Sequence, residues 1–350
     1  MATTPQYPGY LNTYIPSHEA TKKMVIDFAR NINDFEVNQY CQIIPVDKMQ
    51  GLYLEMTIEE AGRITQSDAR NDLWADGAVA PEFRDSTESF IYKPYQCQRF
   101  AKGFVLGNLT VDQASWNIVA QHASIYARHA MTRRTQLVIN ELFTEARYDS
   151  SHVLDVTADI ANTTGNWEQS TTARQDIKRS LNTAMELILD DTLSAVNQKD
   201  MILVISSGLA AKLTECQEIV DYIKASPDAL AQVRGELPGS NTMYGLPDTL
   251  YGYKLVVEKT RKVTTKKGAA TQTKTAILGD DKAALVSRPG GLIGVADSPN
   301  FSTVVNFVQE EMTVETLTDP DNRRRIGRIV DTFVSKVVAP ASGVIFKEVS

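Results

Sequence analysis

The residues most able to do chemistry are histidines on one predicted helix and a serine that follows a predicted strand. His122 and His129 are seven residues apart and share a helix face, but zinc proteases need histidines four residues apart with a glutamate beside the first. Ser206-Ser207-Gly208 lies between a predicted strand and a predicted helix, without the glycine that precedes a nucleophilic serine by two positions. We therefore interpret the histidines as helix-surface or interface residues and the serines as a helix cap.

The other polar motifs lack the partners that catalysis or metal binding needs. The segment 290–294 is glycine-rich but matches neither the dinucleotide fingerprint nor the phosphate loop. The aspartate pairs 190–191 and 280–281 could bind a hard cation, but each pair stands alone, so we favour a solvated helix end and a turn. We predict no enzyme activity and no catalytic, cofactor-binding or metal-binding residue.

Composition narrows the class of protein. The chain has 350 residues, 43% of them hydrophobic, which predicts about two folding units. Its net charge of −7 argues against a dedicated nucleic-acid-binding protein, which normally has a basic domain. We expect no membrane span and no signal peptide. The three cysteines, Cys41, Cys97 and Cys216, are far apart and indicate a reducing compartment rather than a disulfide framework.

Two basic clusters stand out against this acidic background. One is the segment from Lys259 to Lys274, which contains no acidic residue, and the other is Arg323 to Arg325. The simplest interpretation of both is a solvated face. The alternatives are ion pairs with an acidic neighbour or a weak, nonspecific contact with DNA phosphates.

Residues 51–103 predict a long loop. The segment contains six basic and nine acidic residues, few large apolar ones, and strand-like pieces only at its two ends. A loop of this length inside a compact domain is usually functional or packs on something outside its own chain. Trp74 and Phe83 need an apolar environment that a partner chain can supply.

A long helix is predicted from Thr110 to Arg147. Thr110 and Gln113 form a capping box, and no proline or glycine interrupts the run. About 37 residues at 1.5 Å each would make a rod of roughly 55 Å, about three times the usual helix length.

The second half of the chain predicts a mixed α/β unit followed by long strands. A capped helix begins at Thr172, a buried strand covers 201–205, and short helices follow within 207–213, 217–224 and 227–233. Further strands are predicted at 254–258, 276–278 and 284–287, with the basic segment as a loop between the first two. Alternating apolar residues predict long strands within 301–318, and a turn is predicted at 319–322. Two further strands, separated by a break at Pro340, are predicted within 329–349.

This order of elements resembles the tailed-bacteriophage major capsid proteins, whose fold is the Hong Kong 97 fold. The similar segments are a strand and helix from Asp200 to Leu213, a turn and strand from Leu246 to Val257, Ala276 to Asp280, and Val338 to Ile345. The resemblance covers essentially the whole chain after residue 35. It implies an α+β, Hong Kong 97-type capsid fold with an N-terminal arm, an extended β-hairpin loop, a long spine helix and an axial mixed α/β domain.

The resemblance also implies a division of the chain. It implies an N-terminal arm and first strand at 1–50, an extended loop at 51–103, a peripheral domain with the spine helix at 104–150, an axial domain at 151–297, return strands of the peripheral domain at 298–326, and a C-terminal axial strand at 327–350. Contacts between subunits are then expected from Arg70, Asp72, Trp74, Phe83 and Arg84 of the extended loop, and from Asp319, Asp321, Arg323, Arg324 and Arg325 at the peripheral tip.

The function implied by the resemblance is structural. The chain would assemble into hexamers and pentamers of an icosahedral head that encloses double-stranded DNA without sequence-specific binding. A separate scaffolding protein and a portal protein are the expected partners, with a decoration protein as an optional one. No cofactor is expected, and the location would be the virion, after synthesis in the bacterial host cytoplasm. The alternatives are an encapsulin-like compartment holding protein cargo and a cytosolic α/β enzyme.

Overall fold

A computed structural model describes residues 34–56, 76–77, 90–114, 117–160, 165–236, 243–266, 268–289 and 301–350. The helices in this part of the chain are α1 Val37–Tyr40, α2 Asn108–Gln113, α3 Ile118–Leu142, α4 Asp176–Asp191, α5 Ser207–Leu213, α6 Gln217–Ala225 and α7 Pro227–Val233. The strands are β1 Gln42–Pro45, β2 Gln50–Met56, β3 Phe90–Gln96, β4 Gln98–Gly107, β5 Val153–Asp155, β6 Met201–Ser206, β7 Thr249–Leu250, β8 Tyr253–Glu258, β9 Arg261–Val263, β10 Lys274–Ala276, β11 Lys282–Ser287, β12 Val304–Asp319, β13 Arg324–Val337 and β14 Gly343–Lys347.

A four-stranded sheet in the order β1-β12-β13-β4 is built around the longest strands. β12 and β13 form an antiparallel hairpin, and β13 also pairs antiparallel with β4. The alternating apolar residues within 301–318 predicted β12 correctly, whereas β13 begins at Arg324, before the strand expected from residue 329. β13 stays in this sheet as far as Val337. The expected boundary at residue 326 placed residues 327–337 with the C-terminal strand, whereas these residues belong to the four-stranded sheet.

The six-stranded sheet has the order β5-β14-β11-β6-β8-β7 and is covered on both faces. Every residue of its central strand β6 is buried, which explains why that strand is a continuous apolar run in the sequence. Leu203 points into a core shared with Ile177 and Leu181 of α4, whereas Val204 points into a core shared with Val138 of α3. The C-terminal half of α3 therefore packs on this sheet, and its remaining part packs on the four-stranded sheet.

The long helix is shorter than predicted. The sequence pattern predicted one helix from Thr110 to Arg147, but α2 ends at an extended residue, Ala114, and α3 begins after Asn117. The Asn117 side chain accepts a hydrogen bond from the Ala120 amide at 3.0 Å, which satisfies a free amide of the first turn. Because this side chain starts a new helix, α3 has 25 residues. Its length is about 37 Å.

Three smaller predictions were also wrong. The helix expected from Thr172 begins at Asp176, because Gln175 has left-handed backbone (φ 53°) and the predicted capping box does not form. The basic segment is not a plain loop, since β9 and β10 pair in it as a short antiparallel hairpin. The strand predicted at 276–278 is displaced accordingly and ends at Ala276.

Several expectations fall on residues outside the described ranges. They include most of the extended loop and the glycine-rich segment 290–294. Within the ranges that are described, no helix combines the length and the apolar character needed to cross a membrane.

Candidate subunit-contact surfaces

The serine at the end of β6 is a helix cap, as predicted. Ser206 Oγ accepts a hydrogen bond from the Leu209 amide at 3.0 Å and donates one to Asp280 Oδ1 at 2.6 Å. Gly208 leaves the room for that carboxylate, because a Cβ atom at this position would lie 2.2 Å from it. These contacts explain the small residues of this motif by local structure.

The two helix histidines are surface residues among aromatic rings, which confirms their interpretation. His122 stacks on Phe104 with ring centroids 5.5 Å apart, and His129 lies 5.9 Å from Tyr126. Burial lowers the pKa of both histidines, and the nearby charges of Lys102 and Arg133 lower that of His129 further.

The third described histidine is buried and holds two elements together. His152 Nδ1 lies 2.8 Å from the Gly343 carbonyl oxygen, and Nε2 lies 2.7 Å from Asp191 Oδ2. Asp191 is therefore not simply a solvated helix end. Among the residues that the structure describes, no group of three or more histidine, cysteine, aspartate or glutamate side chains is arranged to hold a metal ion.

The β12–β13 hairpin carries the predicted peripheral tip. Asp319 Oδ2 accepts hydrogen bonds from Asn322 Nδ2 at 2.9 Å and from Arg324 Nε at 2.8 Å. The hydrogen bond from Asn322 and then that from Arg324 lower the pKa of Asp319. The carboxylate therefore closes the turn within its own chain.

The other charges at the tip divide into two kinds. Arg325 Nη2 lies 3.7 Å from Asp112 Oδ1 of α2, so this arginine also has a partner in its own chain. Asp321 and Arg323 are exposed at the end of the turn, and Arg323 has left-handed backbone (φ 47°). Their role in contacts between subunits stays a prediction.

A row of apolar side chains crosses the four-stranded sheet near the tip. Val105 of β4 is the register partner of Ile326, and Ile326 is the partner of Leu317 on β12. Val105 is 56% exposed and Leu317 67% exposed. The neighbouring residues Phe104 and Leu106 alternate to the other face and pack against α3, so the row lies on the face that α3 does not cover. We call these three residues the apolar row.

The β2–β3 ribbon, which is the base of the extended loop, has a second exposed apolar surface. Leu52 of β2 is the register partner of Pro94 of β3. Tyr92 lies two residues before Pro94 on β3, so the side chains of all three residues are on one face of the ribbon. Leu52 and Tyr92 are each 62% exposed. The register continues outward through the apolar pairs Leu54–Tyr92 and Met56–Phe90. We call Leu52, Tyr92 and Pro94 the ribbon face.

The opposite side of the ribbon is anchored on the four-stranded sheet of the same chain. Tyr95 stacks on Phe307 of β12 with ring centroids 4.6 Å apart and planes 8° apart, and Tyr53 lies 5.6 Å from the same ring. Gly51 is the register partner of Tyr95, and a Cβ atom there would lie 2.4 Å from the tyrosine hydroxyl oxygen. The three rings and the glycine fix the direction in which the ribbon leaves the sheet.

A buried ion pair fixes α3 on the β12–β13 hairpin. Arg134 is 1% exposed, and its Nη2 donates to Asp331 Oδ1 at 2.6 Å while Nη1 donates to Glu311 Oε1 at 3.0 Å. Its guanidinium lies 5.2 Å from the centre of the Phe333 ring. Burial raises the pKa of Asp331, and the charge and hydrogen bond of Arg134 offset part of that rise.

Sequence reasoning did not find these surfaces. The five contact residues expected in the extended loop, Arg70, Asp72, Trp74, Phe83 and Arg84, lie outside the described residues. The apolar row depends on the register of three strands that are far apart in the sequence. The alternation of Leu52, Leu54 and Met56 was the one available signal for the ribbon face.

Comparisons with known proteins identify the fold. No family model and no curated protein matches the chain. Among solved structures, the mature capsid of bacteriophage PhiM1 is similar at 12% identity and a TM-score of 0.55, covering 94% of this chain and 91% of the other. A structure from Mycobacterium phage Che8 is similar at 14% identity and a TM-score of 0.52, covering 97% and 99%.

A third similar structure is an encapsulin complex. The SrpI encapsulin complex from Synechococcus elongatus PCC 7942 matches at 11% identity and a TM-score of 0.54, covering 95% of this chain and 93% of the other. All three likenesses extend over nearly the full length of both chains. The chain therefore has the Hong Kong 97-type capsid fold.

Proposed function

We propose that this chain is a major capsid protein that assembles into the icosahedral head of a tailed bacteriophage and encloses its double-stranded DNA. The observation that carries the proposal is the exposed ribbon face. A two-stranded ribbon is at best marginally stable in water, and here it presents Leu52 and Tyr92 to solvent. A neighbouring copy in a shell would cover that face.

The domain roles follow from the same proposal. The four-stranded sheet with α3 would form the peripheral domain, and the six-stranded sheet with α4 to α7 the axial domain. The ribbon and the rest of residues 51–103 would lie across a neighbouring subunit. Asp321 and Arg323 would then meet other copies at the tip, together with the apolar row. Interfaces of this kind are heterologous and close only through the symmetry of a shell.

The partners and location are part of the proposal. Hexamers and pentamers would build the shell, with a separate scaffolding protein during assembly and a portal protein at one vertex. A decoration protein is an optional addition. The chain would be made in the bacterial host cytoplasm and function in the virion. Its acidic balance, a net charge of −7, suits a container through which a packaged genome must move.

Replacing the ribbon face tests the proposal. The variant Leu52→Ser/Tyr92→Ser should leave the unassembled subunit folded, because both side chains are exposed there, but should prevent shell formation. A matched control is Val263→Ser/Tyr244→Ser, which removes two exposed apolar side chains elsewhere. Negative-stain electron microscopy and sedimentation measure assembly. Normal shells from the ribbon variant would contradict the proposal.

An encapsulin-like compartment is the second candidate, favoured by the likeness to the SrpI encapsulin complex. The two functions differ in content. Purified particles of a phage head should contain nuclease-resistant double-stranded DNA, whereas particles of a compartment should contain a folded protein cargo. Analysis of nucleic acid and protein from the same particles distinguishes them.

A further inference from the structure

The exposed side of α3 is free of acidic residues over nearly its whole length. Between positions 118 and 140 the sequence contains arginines and histidines but no aspartate or glutamate. His129, Arg133, Gln136 and Asn140 recur at three- and four-residue steps and so share one side of the helix. The stripe they form is about 16 Å long.

Neighbouring strands add positive charge to this stripe. Lys102 of β4 approaches within 5.5 Å of the Tyr126 ring centre, and its charge acts on His129 together with that of Arg133. Further along the helix, Lys262 Nζ of β9 donates a hydrogen bond to Gln136 Oε1 at 2.6 Å. We call three residues the basic face: Lys102 of β4, Arg133 of α3 and Lys262 of β9.

The β9–β10 hairpin extends the positive charge beyond the helix. Arg261 and Lys274 lie on the side of the hairpin opposite to Lys262, and Lys266 lies in its connecting segment. All three are exposed. The segment 259–276 that forms this hairpin contains no acidic residue.

These cations differ from those that stabilise the subunit. Arg134, Arg324 and Arg328 each pair with a carboxylate of their own chain. In the described part of the chain, neither the basic face nor the three hairpin cations make such an ion pair. Positive side chains that lie together without a carboxylate partner repel one another, and this repulsion destabilises the subunit. A bound polyanion removes it.

We infer that the basic face and the β9–β10 hairpin contact the phosphates of double-stranded DNA, and that this side of the subunit faces the interior of the shell. The inference rests on the proposed function. Double-stranded DNA carries one negative charge per about 1.7 Å of its axis, so a stripe of about 16 Å spans several phosphates. Lysine and arginine point charges neutralise phosphates without reading sequence. Contacts through a few charges are weak enough for DNA to slide past them.

The test measures DNA binding by unassembled subunits. A fluorescent duplex of about 25 base pairs is titrated at several salt concentrations, and fluorescence anisotropy gives the dissociation constant. In the variant Lys102→Gln/Arg133→Gln/Lys262→Gln the constant should rise about tenfold at low salt, and the slope of log affinity against log salt should become shallower by about 2 to 3. The control Lys178→Gln/Lys199→Gln/Lys224→Gln removes the same charge from exposed positions elsewhere.

Three outcomes of this titration would overturn the inference. The first is an unchanged slope and affinity in the basic-face variant, and the second is an equal loss in the control variant. The third is displacement of the duplex by polyglutamate at lower charge concentration than by unlabelled DNA, which would assign the face to an acidic protein segment. Shell formation by every protein is scored separately by electron microscopy, so a failure of assembly contradicts the proposed function and leaves the DNA titration interpretable.

The orientation of the subunit has its own readout. An amine reagent coupled to a polymer too large to enter a shell should label Lys102 in free subunits, where this residue is exposed. Lys102 should be protected in assembled shells and labelled again after their disassembly. Equal labelling in shells and free subunits would place the basic face outside and overturn the inference.

Discussion

Arg134 links α3 to the β12–β13 hairpin. Its guanidinium is buried, paired with Asp331 and stacked on Phe333. Removing one member of a buried ion pair leaves the other charge without compensation, whereas replacing both members with apolar residues is often neutral or stabilising. The pair therefore fixes how α3 lies against the hairpin. The change that should lower the free energy of unfolding most is the loss of one partner alone.

We expect Arg134→Met to lower the free energy of unfolding of the subunit by about 3 kcal/mol, because Asp331 is left buried and unpaired. The double variant Arg134→Met/Asp331→Leu should recover most of that loss. Urea unfolding of the unassembled subunit, followed by circular dichroism, measures both. Additive losses in the double variant would contradict this role of the pair.

We expect the free energy of unfolding to depend on pH in part through the protonation of His122 and His129. Burial lowers the pKa of both below the ordinary value of 6.5, so the unfolded chain binds protons more readily than the folded one. Their contribution to stability is complete above that value and is lost as the pH falls through the folded pKa values.

The variant His122→Gln/His129→Gln should therefore lose less stability than the native chain between about pH 7.5 and about pH 5.5. Burial raises the pKa of Asp331 and Glu258, which gives the opposite trend, so the native-minus-variant difference is the quantity to measure. A difference that does not change with pH would show that these histidines do not titrate differently on folding.

At the scale of elements, α3 owes its start to one side chain. Asn117→Ala removes the acceptor of the Ala120 amide and should destabilise the subunit by about 1 kcal/mol. Asn117→Asp retains an acceptor at that position and is the matched control. Thermal unfolding of the subunits measures the loss, and equal stability of the native and alanine proteins would contradict the cap.

The ribbon depends on its aromatic anchor. Phe307→Ala removes the ring on which Tyr53 and Tyr95 stack, a change that in a buried site costs about 3 kcal/mol. The substitution can also be made in a stabilised variant of the subunit, so that the free energy of unfolding is restored. If the anchor directs the ribbon, this protein should still assemble poorly or into irregular shells. Phe100→Ala, which removes a partly buried ring from the same sheet, is the control. Regular shells from the stabilised Phe307→Ala protein would contradict the anchoring role.

Local patterns determined how well these elements were predicted. Alternation identified β12, and the continuous apolar run identified β6, because both patterns follow directly from which faces are buried. The break before Asn117 was missed because no proline or glycine marks it. The apolar row and the partners of Arg134 were missed because strand register and helix docking are set by residues distant in the sequence.

At the scale of the whole molecule, the subunit has two well-packed cores and two apolar surfaces that nothing in the described chain covers. The ribbon is anchored at Phe307 of β12, whereas Leu317 of the apolar row lies ten residues further along the same strand, or about 30 Å. This separation suits two different neighbours in a shell rather than one symmetric dimer. Many moderate interfaces repeated by symmetry can then stabilise an assembly that no single contact would hold.

The most direct test of this account is the mass of the expressed chain, measured by sedimentation velocity and checked by negative-stain electron microscopy with and without a candidate scaffolding protein. We expect closed particles of megadalton mass. A chain that stays a monomer or small oligomer at every concentration, in both conditions, would contradict the central claim that it builds a shell.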